Sequence, residues 1–138
     1  MRKKSPLEQL QKIRNLRAEN LSCQLAEARG AIARLTEERK QAGAEFETAQ
    51  ARVDQASIGR NLPAGKFVSG ADVHAIIQQQ SKLRAIEAEA RGRGRALEEA
   101  VAAAERRADL LEDDVARARR IATRTDILSD MIKSLEND

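Results

Sequence analysis

Residues that could perform catalysis are few in this chain. It contains one histidine, His74, and one cysteine, Cys23, and no second histidine, cysteine or carboxylate cluster is spaced to work with either of them. Two acidic pairs, Glu98-Glu99 and Asp113-Asp114, are sequence neighbours, which point to different sides of a helix and so form no acid–base pair. The glycine-rich motif GxxxxGK[ST] of phosphate-binding loops is missing from the sequence. We therefore expect no catalytic site, no metal site and no cofactor, and we predict that the protein is not an enzyme.

Basic residues are concentrated near the two ends of the chain. The net charge of +3 is small, so the distribution of charge is more informative than its sum. A concentrated basic zone favours an acidic protein surface or a phosphate backbone as partner, and ordinary solvated helix faces are the alternative interpretation. The residues concerned are Arg2, Lys3, Lys4, Lys12, Arg14 and Arg17 near the start, and Arg117, Arg119, Arg120 and Arg124 near the end.

One segment, Arg91-Gly92-Arg93-Gly94-Arg95, superficially resembles the arginine–glycine tracts of disordered RNA-binding proteins. It is a single short copy within a helical pattern, and it has no aromatic side chains on which bases could stack. We predict that the protein does not bind nucleic acid.

The composition indicates which elements position these residues. Charged residues make up 34% of the 138 positions, and the only aromatic residues are Phe46 and Phe67. A chain rich in Ala, Glu, Arg, Leu and Lys is typical of long helices and coiled coils. No apolar stretch approaches the roughly 18 residues of a membrane span, and Glu8, Lys12 and Arg14 interrupt the segment where a signal peptide would be apolar. We expect a soluble protein that is neither exported nor inserted into a membrane.

A first long helix is predicted over residues 6–56. Ser5 can cap it, Pro6 suits its first position, and Glu8 completes a capping box. Its apolar residues recur in alternating steps of four and three, which is the spacing of a coiled-coil seam. Near the start, Leu7, Leu10, Ile13 and Leu16 repeat every three residues, so the first turns are expected to face something other than the second helix. The stripe consists of Leu7, Gln11, Arg14, Ala18, Leu21, Leu25, Ala28, Ile32, Leu35, Arg39, Ala42, Phe46, Ala49, Val53 and Ala56.

A second helix is predicted over residues 70–136, after a loop over 57–69 that contains the breaker 59–65. Ser69 and Asp72 form its capping signal. Gly92 and Gly94 weaken the helix, and we expect an irregularity of the seam near Val101. Short loops favour antiparallel neighbours, so we predict an all-α fold, a single antiparallel two-helix coiled-coil hairpin over residues 1–138. The predicted seam of the second helix is Ile76, Leu83, Ile86, Ala90, Leu97, Val101, Ala104, Ala108, Leu111, Val115, Ala118 and Ala122.

The pairing of the two helices follows from the position of the turn. A turn centred near residue 63 pairs residues whose numbers add up to about 127, which places Ser5 near Ala122. Residues from Thr123 onward then overhang the first helix. Their apolar face is expected to be either a docking site for another protein or the frayed end of a helix. It comprises Ile127, Leu128, Met131, Ile132 and Leu135.

The segment Ser69–Arg84, SGADVHAIIQQQSKLR, resembles the opening of the second helix in the central-stalk proteins of type III secretion. This is the injectisome YscO/InvI group, which is related to flagellar FliJ. In that group a capped helix begins with an acidic residue, a pair of bulky apolar residues and a Gln-Ser step before a basic residue. The basic N-terminus, the arms of similar length and the helical C-terminal overhang fit the same family.

The resemblance implies an antiparallel coiled coil similar to part of the gamma subunit of rotary ATPases. In the family, the open end, where the first helix begins and the second ends, sits in the pore of the hexameric secretion ATPase. The hairpin side reaches toward the cytosolic domain of the export gate, and some members bind export chaperones. The implied ATPase-binding residues are the ten basic residues named above together with Leu128 and Ile132. The implied gate-binding residues are Val73, Ile76, Ile77, Gln80 and Leu83.

The sequence therefore predicts a non-enzymatic stalk or adaptor of a bacterial type III secretion export apparatus, a system associated with virulence. Its expected location is the cytoplasm, peripheral to the inner-membrane apparatus and without direct membrane insertion. Its expected partners are the hexameric secretion ATPase, the cytosolic domain of the export gate and export chaperones. The alternative is an unrelated coiled-coil adaptor or holdase chaperone that binds client proteins, and a basic coiled coil associated with nucleic acid is a weaker third interpretation.

Overall fold

A computed structural model of the chain describes residues 5–56 and 69–137. Over these residues it contains two α-helices, α1 (Pro6–Gln55) and α2 (Gly70–Glu136), and no strand. The two helices pack against each other in antiparallel orientation, so the predicted all-α two-helix hairpin is confirmed. The predicted loop over 57–69, apart from Ser69, lies outside the described residues.

Both helix starts have the predicted caps. The Ser5 hydroxyl accepts a hydrogen bond from the backbone N–H of Glu8 at 3.2 Å, and the Ser69 hydroxyl accepts one from the N–H of Asp72 at 3.2 Å. These bonds satisfy N–H groups that have no partner within the helix. Glu8 and Asp72 also place negative charge in the first turn, where the helix dipole favours it.

Two compact units make up the chain, and each contains part of both helices. The first consists of Met1–Ala33 with Ala102–Asp138, and the second of Arg34–Val101. In the first unit, Leu25, Leu111 and Val115 form a buried cluster with small alanines between them. Among the described residues of the second unit, Ala42, Ala49, Ala90 and Val101 are buried. Alanine removes little apolar area from water, so each unit has a thin core.

The predicted stripe of α1 is confirmed with one exception. Its residues are buried or half-buried from Leu7 to Ala56, apart from Arg39, which is exposed. A long charged side chain can reach water from a seam position. Leu10, Ile13 and Leu16 are 39%, 62% and 53% exposed. Leu7 is half-buried, however, and Gln11 and Arg14 bond to α2, so the expectation that the first turns face something other than α2 is wrong.

The seam of α2 is more regular than predicted. Buried or half-buried residues follow each other in unbroken steps of three and four from Val73 to Ser129, so the predicted irregularity near Val101 is wrong. Ile86 is also misassigned, since it is 50% exposed and the seam position belongs to Glu87. The stem of Glu87 packs in the seam, and its carboxylate reaches outward to Arg91 at 2.9 Å.

The predicted pairing of the helices is also wrong. In the first unit, Gln11 bonds to Asp126 and Arg14 to Thr125, pairs whose numbers add up to 137 and 139. In the second unit, the Glu45–Arg93 pair adds up to 138. These sums exceed the expected value of about 127 by roughly eleven. Each residue of α1 therefore lies opposite a residue of α2 that is about three helical turns further along the chain than predicted. Residues of α2 up to about Ile132 therefore lie beside α1, so the overhang predicted from Thr123 onward is wrong except for the last residues of α2.

Candidate functional site

The open end of the hairpin, in the first unit, has a polar seam. Thr125 and Ser129 occupy seam positions of α2 and are 1% and 2% exposed. The Thr125 hydroxyl donates to the carbonyl of Ile121 at 2.9 Å and accepts from Arg14 Nη1 at 2.6 Å. Gln11 Nε2 donates to Asp126 Oδ1 at 2.7 Å. Polar groups in a coiled-coil seam fix the register of the helices at some cost in stability, so these bonds determine which residues of the open end lie side by side.

Three of the predicted ATPase-binding arginines come together on one side of this seam. Arg14, Arg17 and Arg117 line a groove between the helices, and Arg17 and Arg117 are exposed while Arg14 is half-buried. One carboxylate, that of Asp114, is among the residues lining the groove. The remaining lining residues are Leu21, Ala118 and Ile121.

Arg119 lies on the opposite side of the seam. Its guanidinium donates to the Ser22 hydroxyl at 3.1 Å. Both residues line a second groove, together with Arg29 and Glu112. Because the heptad positions on either side of a seam face different directions, the structure divides the predicted basic zone between two faces.

Of the other predicted basic residues, Arg124 is exposed on α2 one heptad after Arg117 and therefore on the same side. Arg120 is exposed on α2 away from that side. Lys12 lies on the outer surface of α1, in a shallow depression with Glu8 and Glu19, where carboxylates offset its charge. The predicted contributors Arg2, Lys3 and Lys4 lie outside the described residues.

The apolar residues near the end of α2 are exposed, as predicted. Leu128 is 52% and Ile132 39% exposed, and Ile127, Met131 and Leu135 are 54%, 59% and 74% exposed. As far as Ile132 they are not an overhang, because α1 lies alongside, whereas Leu135 lies past the first residue of α1. Instead, exposed apolar residues of both helices occupy the same end of the first unit.

Several of these apolar residues share one side with the groove arginines. Leu128 and Leu135 lie one and two heptads after Ile121, Leu10 lies one heptad before Arg17, and heptad spacing keeps residues on one side of a coiled coil. The binding residues predicted from the sequence included Arg17 but not Leu10, Ile13 or Ile121, although the heptad positions of these three residues could have revealed them. We call this surface the apolar–basic face: Leu10, Ile13, Arg17, Arg117, Ile121, Arg124, Leu128, Met131 and Leu135.

Among the residues that the structure describes, no carboxylate forms an ion pair with the arginines of this face. Within residues 5–56 and 69–137 the ion pairs are Glu87–Arg91 and Glu45–Arg93, both in the second unit. In that unit the Arg91 guanidinium also lies over the Phe46 ring, 5.4 Å from its centroid, a favourable cation–π distance. The charges of the apolar–basic face are therefore available to a partner.

The predicted gate-binding residues lie at the start of α2. Val73, Ile76, Gln80 and Leu83 are half-buried at successive seam positions, and Ile77 is 47% exposed. In the register of the second unit, Leu83 is level with the end of α1. The start of α2 therefore extends beyond the last residue of α1.

His74 and Cys23 are both exposed. Among the residues that the structure describes, no group of three or more His, Cys, Asp or Glu side chains is placed to hold a metal ion. Neither α1 nor α2 contains a stretch long and apolar enough to cross a membrane.

No protein-family model, curated protein or solved structure matches this chain.

Proposed function

We propose that the protein is a non-enzymatic stalk or adaptor of a bacterial type III secretion export apparatus and that it binds the hexameric secretion ATPase through its open end. The supporting observation is the apolar–basic face, on which unpaired arginines adjoin exposed leucines in one unit. A surface of this kind suits a protein partner, since apolar contact provides affinity and the charges provide orientation and rate of association.

The remaining parts of the proposal concern the other partners and the location. The start of α2, with Ile77 exposed and extending past α1, is the candidate contact for the cytosolic domain of the export gate. Export chaperones would compete for one of these two surfaces. The site of action is the cytoplasmic side of the inner membrane, at the base of the secretion apparatus.

Titration of the purified hexameric ATPase with this chain tests the proposal. We expect Arg117→Glu with Arg120→Glu to weaken binding at least about tenfold, because attraction is replaced by repulsion at the open end. The matched control is Arg84→Glu with Arg95→Glu, which makes the same charge change on exposed positions of the second unit. Circular dichroism of both variants checks that their helicity is unchanged. Binding that survives the open-end variant, or falls equally in the control, would contradict the proposal.

A client-binding adaptor or holdase is the second candidate. The observation that favours it is the exposure of Ile13, Leu128 and Leu135 at 62%, 52% and 74%, because exposed apolar residues can hold unfolded clients. A holdase suppresses aggregation of many unrelated proteins, whereas a stalk binds one ring at a defined ratio. Light scattering of heated model clients with and without the chain separates the two functions.

A further inference from the structure

The two sides of the open end differ in chemistry. On one side lies the apolar–basic face. The opposite side carries polar residues at the equivalent heptad positions, with Ser22 and Arg29 on α1 and Glu112 and Arg119 on α2. One heptad further along α2 from Arg119 is Asp126, which is already bonded to Gln11. Only the first of these sides therefore combines exposed apolar area with unpaired charge.

The spacing of the apolar residues on this face suits the binding of a partner helix. On α2, Ile121, Leu128 and Leu135 follow each other at heptad spacing and are 37%, 52% and 74% exposed. On α1, Leu10 is level with Leu128 in the register of this unit, and Leu10 and Ile13 are 39% and 62% exposed. Both helices thus contribute exposed apolar side chains to one side of the open end, and an amphipathic helix can lay its apolar stripe on such a surface.

The charges of the face specify the partner further. Arg17, Arg117 and Arg124 lie on it, against the single carboxylate of Asp114. A second copy of this chain would bring like charges together, which opposes association. A nucleic acid would match the arginines but not the leucines, and the described part of this unit has no aromatic residue on which a base could stack. A partner with carboxylates beside an apolar stripe satisfies both features.

We infer that the apolar–basic face is a docking surface for an acidic amphipathic helix of another protein. The partner's apolar stripe covers Ile121, Leu128 and Leu135, and its flanking carboxylates pair with Arg17 and Arg117. The inference deepens the proposed function, on which it rests for the choice of the open end as the binding end. It adds the side of the hairpin that binds and the chemistry of the segment that is bound.

A designed peptide pair tests the inference on the full chain. The probe is a fluorescein-labelled, helix-stapled peptide of about 18 residues, the length of roughly five turns, with a leucine stripe flanked by glutamates. The control peptide has lysine in place of every glutamate. Fluorescence anisotropy measures binding of each, and we expect the acidic peptide to bind at least about tenfold more tightly, with an affinity that falls as salt rises.

Variants then locate the binding surface. Arg117→Glu and Leu128→Gln are each expected to weaken binding of the acidic peptide about tenfold or more. The matched variants away from the face, Arg119→Glu on the opposite side and Ile127→Gln on the outward side of α2, are expected to change it less than about twofold. All four positions are exposed, so the fold is retained, and circular dichroism checks this. Equal binding of both peptides, or equal losses on both sides, would overturn the inference.

Other occupants of the face give distinct results. Concentration-dependent dimerisation that Leu128→Gln abolishes would show that a second copy covers the face. Tighter binding of a single-stranded oligonucleotide than of the acidic peptide, lost in Arg117→Glu, would show that it binds nucleic acid. Either result would overturn the inference.

The inference and the proposed function can fail separately. If the purified ATPase binds through Arg117 but the acidic peptide does not bind, the helix-docking inference fails and the function stands. If the peptide binds through the face but the ATPase does not bind, the function fails and the docking surface stands.

Discussion

The guanidinium Nη1 of Arg14 lies 2.6 Å from the hydroxyl Oγ1 of Thr125, and this hydrogen bond joins the start of α1 to the end of α2. Both residues occupy seam positions, where an apolar pair would be the usual choice for stability. Thr125 is 1% exposed and also donates to its own helix, at the carbonyl of Ile121. The open end thus gains a defined register from polar contacts, and the apolar–basic face depends on that register.

Replacing Thr125 with valine keeps the shape of the side chain and removes both hydrogen bonds. We expect Thr125→Val to lower the free energy of unfolding by about 0.5–1.5 kcal/mol, since Arg14 loses its acceptor. Thr123→Val, at an exposed position two residues away, should change it by less than about 0.5 kcal/mol. Urea unfolding followed by circular dichroism measures both. Equal effects of the two variants would show that the Arg14–Thr125 bond does not stabilise the open end.

The thin core of the first unit makes its few large side chains important. Leu25 is 7% exposed and packs with Leu111 and Val115. We expect Leu25→Ala to cost about 2–4 kcal/mol, because a cavity remains between the helices. Leu110→Ala removes the same atoms from a side chain that is 67% exposed and should cost less than about 0.5 kcal/mol. Thermal unfolding of the two variants distinguishes them, and similar midpoints would contradict the observed seam.

Replacing glycines inside the helices is expected to stabilise the protein. An added Cβ at Gly43 or Gly92 meets no atom within 4 Å, and both residues lie in helix interiors. We expect Gly43→Ala and Gly92→Ala each to raise the free energy of unfolding by about 1 kcal/mol through helix propensity. Gly70→Ala, at the first residue of α2, is the control and should have a smaller effect. Unchanged stability of both interior variants would indicate that these helix segments are not formed in solution.

The sequence was sufficient to predict which residues of α1 face α2, because apolar residues at heptad spacing have one stable arrangement against a second helix. It was less reliable for α2, where Ile86 looked like a better seam residue than Glu87. A side chain with a long apolar stem, such as that of Glu87, can be half-buried at a seam position, while the more hydrophobic Ile86 beside it is exposed because of its heptad position. Side-chain type alone therefore assigned the wrong residue.

Register could not be predicted from the position of the breaker. Many offsets bury alanines against alanines almost equally well, so the apolar pattern selects among them only weakly. Specific polar and ionic contacts such as Gln11–Asp126 distinguish one offset from another, and they appear only once the helices are placed. This difference between the predicted and the observed pairing also explains why the candidate site was predicted incompletely. Residues from Thr123 onward were expected to be unpaired, whereas α1 lies beside most of them, and Arg124, Leu128 and Met131 belong to the apolar–basic face.

The Glu45–Arg93 ion pair offers a direct test of the register in the second unit. Its atoms are 2.6 Å apart and both side chains are about half exposed, so their coupling should be only about 0.2–1 kcal/mol. Arg93→Glu places two carboxylates opposite each other and should lower the free energy of unfolding slightly. Adding Glu45→Arg should restore it, because the pair is then reversed but intact.

The sequence-based register, in which numbers add up to about 127, would place Lys82 opposite Glu45 instead. The control is therefore Lys82→Glu, alone and combined with Glu45→Arg. A double-mutant cycle measured by urea unfolding should give a favourable coupling for positions 45 and 93 and none for positions 45 and 82. Coupling at Lys82 would mean that the helices pair about three turns away from the arrangement described, and the open end would then carry the overhang that the sequence suggested.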